Sequence, residues 1–356
     1  MNILFVNTSK IWGGNEKWTY MASRQLSQRN NVCLAYRSRH LGDRFALDKR
    51  KMMFFSRFDL ATLYFLVKLI RDKKIDILVS TNRKYYLLGA VAAKLGGCRH
   101  LVRCGIVWKV PGTFYYRLLF QKLIHGVIVN ARSIRDELIR SGFIDPHKVH
   151  LVYNGLDTEK LDAALQCASG RQFDFTIVTS GELVPRKGHE FIIKSFASFL
   201  NKRPGINAGL MVIGKGGRRK ELEILCQELG TGDRVKFTGF MDNPYPSIAS
   251  ADLYITASHN EGISNALLEA MYMGVPVITT PAGGAQEVVR DRENGFLAGY
   301  GDEKTLAKLM LEVCDNKNYF AATIGARGRN TVAAMFSLSG MTSSLEEIFD
   351  SCLTGG

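Results

Sequence analysis

The chain reads as an α/β protein built on two doubly wound parallel sheets that face a deep cleft. Three observations predict this. Short continuous apolar runs alternate with amphipathic runs of helical period, the pattern of a parallel sheet covered on both faces. The same rhythm restarts near the middle of the chain. At 356 residues there is enough sequence for two domains with cores of their own.

In the first half, strands are expected at 2–7, 31–37, 75–81, 100–105, 126–131 and 149–155. Helices at 16–28, 58–74, 86–97, 113–125 and 132–142 separate them. In the second half, strands at 175–181, 208–216, 234–239, 252–258, 276–280 and 295–299 alternate with helices at 188–203, 219–230 and from Ser264 to Met271. The stretch "NGLDTEKLDAALQCASGRQFD" joins the halves. The reading gives an N-terminal domain over 1–157, a C-terminal domain over 158–336 and a last helix over 337–356. That helix has apolar residues at helical spacing and is free to pack back across the junction, on a side the sequence does not specify.

Hydrophobic residues make up 46% of the chain and charged residues 22%, the balance of a soluble globular protein. The seven cysteines are scattered without a C-x-x-C pair, which speaks against a disulfide framework or zinc knuckle and for a reducing cytosol. "MNILFVNTS" turns polar too soon for a signal peptide, and the most apolar stretch, "LATLYFLVKLIRD", is short and contains Lys68, so no bilayer span is expected. Net charge is +14, split as +18 over residues 1–150 and −4 over the rest. The basic half is therefore expected to meet something anionic, a membrane surface or nucleic acid.

The stretch "SHNEGISNALLEAMYMGVPVITT" places Glu261 and Glu269 eight residues apart. Gly262 suits a tight turn, Ser264 and Asn265 are N-cap types, and Ala266–Met271 favours a helix. Both carboxylates should lie near one helix N-terminus, where backbone N–H groups attract anions. Arg186-Lys187-Gly188 falls between a strand and a helix and offers a fork and a point charge to a phosphate, although exposed Arg-Lys pairs in loops are common. Gly214-Lys215-Gly216-Gly217 looks like a dinucleotide turn, but Arg219 sits where a third glycine belongs and no acid closes the next strand. Gly283-Gly284 and Gly13-Gly14 occupy matched post-strand positions where backbone could approach a ligand closely. His189 and His259 read as ordinary solvated loop histidines. No P-loop, H-E-x-x-H, D-x-D or G-x-S-x-G pattern occurs, so no metal and no cofactor are expected.

The ordered set "NGLD", "GELVPRKG", "MVIGKG", "VKFTGF", "ADLYITASHNEGISNALLEAMYMGVPVITT" and "GGAQEVVRDRENGFL" resembles a family 4 retaining glycosyltransferase of GT-B architecture, whose hallmark is two glutamates eight residues apart. The resemblance covers about 190 residues closely and the N-terminal half only through its rhythm and Gly13-Gly14. It implies that Glu269 accepts hydrogen bonds from ribose hydroxyls and that Glu261 contacts the transferred sugar. The N–H groups around Gly262, Ile263, Ser264 and Asn265 would cap the diphosphate with Arg186 and Lys187. Gly181 and Gly214 would border the donor, and Gly239-Phe240-Met241 would line the base pocket. Two departures stand out: Glu182 replaces the usual arginine after Gly181, leaving Arg186 as substitute, and Arg103 stands where many members carry a donor-contacting histidine.

The function expected is metal-independent transfer of a sugar from a UDP- or GDP-sugar to a glycan or lipid-linked acceptor, with retention, in cell-surface polysaccharide or lipopolysaccharide synthesis. Catalysis would come mainly from stabilising the departing nucleoside diphosphate. The basic half would hold the acceptor at the cytoplasmic face of an anionic membrane. "RKYYLLGAVAAKLGG" and "WKVPGTFYYRLLFQKLIHG" interleave cations with aromatics as interfacial helices do, or else are simply core. A sugar-nucleotide epimerase of the same fold and a basic nucleic-acid-binding protein are the rivals. The second lacks any recognition-helix or RNA-motif signature, so no nucleic acid is expected.

Overall fold

The computed structural model describes residues 1–167 and 172–354, so residues 168–171 of the expected junction stretch and the last two of the closing segment lie outside the described residues. The chain divides into two compact units: Met1–Gly155 with the segment from Phe336 onward, and Leu156–Met335.

Unit 1 carries β1 Asn2–Asn7, β2 Asn31–Tyr36, β3 Asp48–Lys51, β4 Ile77–Ser80, β5 Arg99–Cys104, β6 Gly126–Val129 and β7 Val149–Leu151. They form one parallel sheet in the order β3-β2-β1-β4-β5-β6-β7. Side chains alternate faces along a strand, and the apolar runs of β1 and β4 therefore feed two cores. Ile3, Phe5, Ile77 and Val79 pack with Trp18, Met21 and Leu26 on one face. Leu4, Val6 and Leu78 pack with Leu66, Ile70 and Leu88 on the other. The closing helix Leu338–Thr354 presents Met341, Leu345 and Phe349 at i, i+4 and i+8, all buried in the first of these cores. Each such burial stabilises by about 1.5–3 kcal/mol, enough to hold the chain terminus in unit 1.

Unit 2 carries β8 Phe175–Ser180, β9 Ala208–Ile213, β10 Val235–Gly239, β11 Leu253–Thr256, β12 Val277–Thr279 and β13 Phe296–Leu297, parallel in the order β10-β9-β8-β11-β12-β13. Phe175, Phe196, Phe199 and Phe296 dominate its core. In each sheet the strand order reverses beside the first strand, between β1 and β4 and between β8 and β11. The loops leaving those strands part company there, opening a crevice at their carboxyl ends where ligands of such sheets bind.

Several elements differ from the sequence expectation, which placed no helix at Thr158–Leu165, Tyr245–Ala249, Glu303–Asp315 or Ala326–Met335. β3, Asp-Lys-Arg-Lys, has no apolar alternation and forms because its backbone completes the sheet edge beside β2. The helix expected over 113–125 is a short α-helix, Phe114–Leu118, followed by a wider i→i+5 turn, Leu119–Leu123. The stripe 83–97 is core and not an interfacial helix, since Tyr85, Tyr86, Leu88, Ala92 and Ala93 are all buried. Among the described residues no helix is long and apolar enough to cross a membrane.

Candidate active site

The loops after β8, β9, β11 and β12 converge at the carboxyl edge of the unit 2 sheet, and glycine is what lets them approach. Gly181 and Gly214 have φ of +154° and +151°, and a Cβ on Gly214 would fall 1.8 Å from the Gly181 carbonyl. The Gly214 N–H donates to the Gly239 carbonyl at 2.9 Å, tying the ends of β9 and β10. Lys215 sits over the Phe240 ring at 5.9 Å, while Phe240 and Met241 are half-buried.

On the other side of β8, the segment Pro185–Lys187 forms one 3₁₀ turn ended by Gly188, whose φ of +69° and close approach to the Ala257 carbonyl exclude any side chain. The His259 N–H donates to the Arg186 carbonyl at 3.0 Å, so the loops after β8 and β11 are joined. Lys187 Nζ donates to Glu261 Oε1 at 2.5 Å, and Ser258 Oγ donates to Glu261 Oε2 at 2.8 Å. Burial pushes the Glu261 carboxyl up. Lys187, the Ser258 hydroxyl and Arg186 outweigh it, and the group is held below the ordinary carboxylate range. Arg186 itself pairs with Glu182 at 3.5 Å, in the place where the resemblance leads one to expect an arginine.

Gly283 and Gly284 approach protein backbone. A Cβ on Gly283, at φ +58°, would lie 1.6 Å from the Glu261 carbonyl, and the Gly284 N–H donates to the Gly262 carbonyl at 3.0 Å. These glycines clamp the Glu261 loop from behind. Gly262 and Ile263 are buried there, and Ser264 occupies the N-cap position of the helix Asn265–Tyr272 without a side-chain capping bond. Glu269 is the fifth residue of that helix and is buried. Tyr254 on β11 shares a hydrogen bond with Ser180 Oγ at 2.8 Å: burial raises its phenol, that bond opposes the rise, and the charges of Glu269 and Glu261 add to it. Within unit 2 the structure thus brings Gly181, Arg186, Lys187, Gly214, Gly239, Glu261 and Glu269 to one edge of one sheet.

Sequence reasoning missed Tyr254 and Ser180, whose contact joins adjacent strands and leaves no mark in local spacing, and also Ser258, which lies three residues from Glu261 on the same loop. It also missed Asn260, whose Oδ1 is buried without a hydrogen-bond partner. His259 is exposed as expected and stacks edge-on to Tyr300. His189 corrects the reading of a solvated histidine: it is 3% exposed, and burial, with Lys187 and Arg218 nearby, brings its pKa down to about 4. Among the described residues no three His, Cys, Asp or Glu are grouped to hold a metal ion.

In unit 1, Gly13 precedes and Gly14 begins the helix Gly14–Leu26, and Asn15 in its first turn donates to the Thr81 carbonyl at 2.8 Å across the β1/β4 crevice. Arg103 is buried beneath it. Its guanidinium donates to Asn15 Oδ1 at 2.7 Å and Asn154 Oδ1 at 3.2 Å and lies over the Trp18 ring at 4.5 Å. Burial brings Arg103 down to about 10, with Tyr86, Cys104 and Glu16 opposing, and it stays charged at neutral pH. The cation is committed inside unit 1.

Two family models match, "Glycosyltransferase Family 4" over residues 12–160 and "Glycosyl transferases group 1" over 170–331. The lipopolysaccharide core biosynthesis glycosyltransferase LpsE of Rhizobium meliloti is 27% identical over 65% of this chain and 66% of its own, just under two thirds of that relative's length. The N-acetylgalactosamine-N,N'-diacetylbacillosaminyl-diphospho-undecaprenol 4-alpha-N-acetylgalactosaminyltransferase of Campylobacter jejuni is 28% identical over 69% of each chain. The crystal structure of Anabaena HepE in complex with UDP superposes with a TM-score of 0.81 at 20% identity, covering 99% of this chain and 100% of that one.

Proposed function

Because the chain belongs to the family 4 glycosyltransferases and has their GT-B fold, we propose that unit 2 binds a nucleotide-diphosphate sugar and that the protein transfers its sugar, with retention, to a lipid-linked or glycan acceptor in cell-surface polysaccharide synthesis. One observation carries this reading: an ionised Glu261, held by Lys187 and Ser258, stands at the mouth of a helix whose fifth residue is the buried Glu269. Two acids beside an anion-attracting helix start make chemical sense when the ligand is a pyrophosphate with sugar hydroxyls on both sides.

In this account Glu269 accepts hydrogen bonds from the ribose and Glu261 from the transferred sugar. Backbone N–H groups from Gly262 to Asn265, with Arg186 and Lys187, take the diphosphate charge as the anomeric bond breaks. Lys187 can trade its carboxylate for a phosphate oxygen when donor arrives, leaving Glu261 to the sugar. Gly181, Gly214, Gly239, Phe240 and Met241 border the nucleotide. Arg103 acts through Asn15, fixing the Gly13-Gly14 turn, and does not contact sugar. The departing phosphate oxygen takes the acceptor proton on the same face. Support for a UDP donor is the HepE complex, and support for a lipid-linked acceptor is the undecaprenol-linked substrate in the relative's name. The basic unit 1 would take that acceptor at the cytoplasmic face of a membrane, without a metal ion. Incubation with UDP-, GDP- and ADP-sugars and a polyprenyl-diphosphate sugar, with anomeric assignment of product by NMR, tests it. An isomerised donor with no transfer product would assign an epimerase instead.

A further inference from the structure

Unit 1 exposes a run of large apolar side chains just before and within the helix Leu60–Asp72: Phe55, Phe58, Leu60, Tyr64 and Phe65 are each more than half exposed. They are held out and do not hang loose. Phe54, at φ +50°, is fully buried edge-on against Tyr85 at 5.4 Å, and the Tyr85 hydroxyl donates to its carbonyl at 2.6 Å. Asp59 then caps the helix, accepting from the Thr62 N–H at 3.0 Å and from the Phe55 N–H at 2.9 Å. With Phe54 turned in and this cap fixed, Phe55 and Phe58 have only solvent to face.

A further exposed aromatic, Phe114, opens the helix Phe114–Leu118, whose segment meets the turn Arg83–Tyr85. Arg83 of that turn lies over the Trp108 ring at 4.8 Å, Trp108 packs edge-on against Tyr116 at 5.5 Å, and Tyr85 of the same turn holds Phe54, so both segments are anchored on Arg83–Tyr85. The charge around the patch is one-sided. From Asp48 to Lys74 there are eight cations and three acids, of which Asp59 is buried in its cap and Asp48 is paired with Lys73 at 2.7 Å; from Gly105 to His125 there are three cations and no acid. Arg57, Lys109 and Arg117 are exposed among the aromatics. Contiguous exposed apolar surface marks an interaction site, and a rim with cations in excess complements anionic headgroups.

We propose that this patch docks the protein on an anionic bilayer, with Phe55, Phe58 and Phe114 entering the headgroup–acyl boundary and the cations on the headgroups. The inference rests on the lipid-linked acceptor reading for its purpose and names the surface that meets the membrane. The test is flotation of the full chain with phosphatidylcholine vesicles, alone or mixed with phosphatidylglycerol, at low and high salt. The variants are Phe55→Ser/Phe58→Ser/Phe114→Ser and, as a control on unit 2, Ile224→Ser, each checked for unchanged thermal unfolding. The expected result is binding to mixed vesicles that weakens with salt, falls at least roughly tenfold in the triple variant and is unchanged in the control. No flotation with anionic vesicles, equal flotation of the triple variant, or a dimer that the triple variant abolishes in place of vesicle binding would overturn it. Donor binding is read separately by thermal shift with UDP-sugars, so failure of the glycosyltransferase reading leaves the vesicle result intact, and the converse holds.

Discussion

Lys187 Nζ and Glu261 Oε1, 74 residues apart in sequence, meet at 2.5 Å where the loops leaving β8 and β11 converge. The pair is largely screened from solvent, so the lysine determines the ionisation of the acid. Glu261 is depressed in the folded state, and its contribution to stability is therefore present above the ordinary carboxylate range and is lost as pH falls through the folded pKa. Lys187→Met should raise the Glu261 pKa and move the acid limb of the kcat/KM profile to higher pH. Glu261→Gln should lower kcat/KM by about 10²-fold without changing the thermal midpoint by much. An acid limb that stays in place in Lys187→Met would show that the two groups do not act together.

Gly283 tests the clamp behind that pair. Alanine there meets the Glu261 carbonyl and strains a left-handed backbone, so Gly283→Ala should cost about 1–3 kcal/mol and weaken donor binding as the loop shifts. Gly97→Ala, at φ +84° with open space around it, carries the backbone strain without the clash. Donor affinity should fall in the first variant alone, measured by calorimetry.

Arg103 separates a positioning role from a sugar contact. Arg103→Met leaves Asn15 and Asn154 without their buried donor and should destabilise unit 1 by about 1–3 kcal/mol. Arg103→Lys, which keeps the charge and loses the fork, should lower stability while leaving the donor KM within about twofold. A selective rise in donor KM in a stable Arg103→Lys protein would restore the direct contact.

Two buried histidines predict the acid response. His189 sits at about 4 and His100 at about 3 in the folded chain, chiefly through burial. A histidine with a depressed folded pKa binds more protons unfolded, so stability falls as pH drops from about 6.5 toward those values. Urea midpoints should decline over that window. His189→Gln should decline less steeply, and a slope equal to the parent's would assign the effect elsewhere.

Much of this molecule is written locally. The apolar runs of β1, β4, β8 and β11, the helix start at Ser264 and the stop at Gly274 all follow from neighbours along the chain, and they place Glu261 and Glu269 correctly on the loop and the helix. What escaped the sequence depends on partners far away in it. The strand Asp48–Lys51 exists because of the edge of β2, His189 is buried because the Ala257 loop presses on Gly188, and Arg103 is committed because Asn15 arrives from the helix after β1 and Asn154 from the loop after β7. The same holds for the aromatics at 55 and 58: only the inward turn of Phe54 reveals that they must face out.

The claim that matters most is that unit 2 grips a nucleotide-diphosphate sugar through Glu261 and Glu269, and thermal unfolding with UDP-, GDP- and ADP-sugars, in buffer with EDTA, tests it most directly. One of these donors should raise the midpoint of the parent protein, in keeping with preferential binding to the native state, and the rise should shrink sharply in Glu269→Ala. No rise with any donor, or a rise that Glu269→Ala leaves unchanged, would contradict the account.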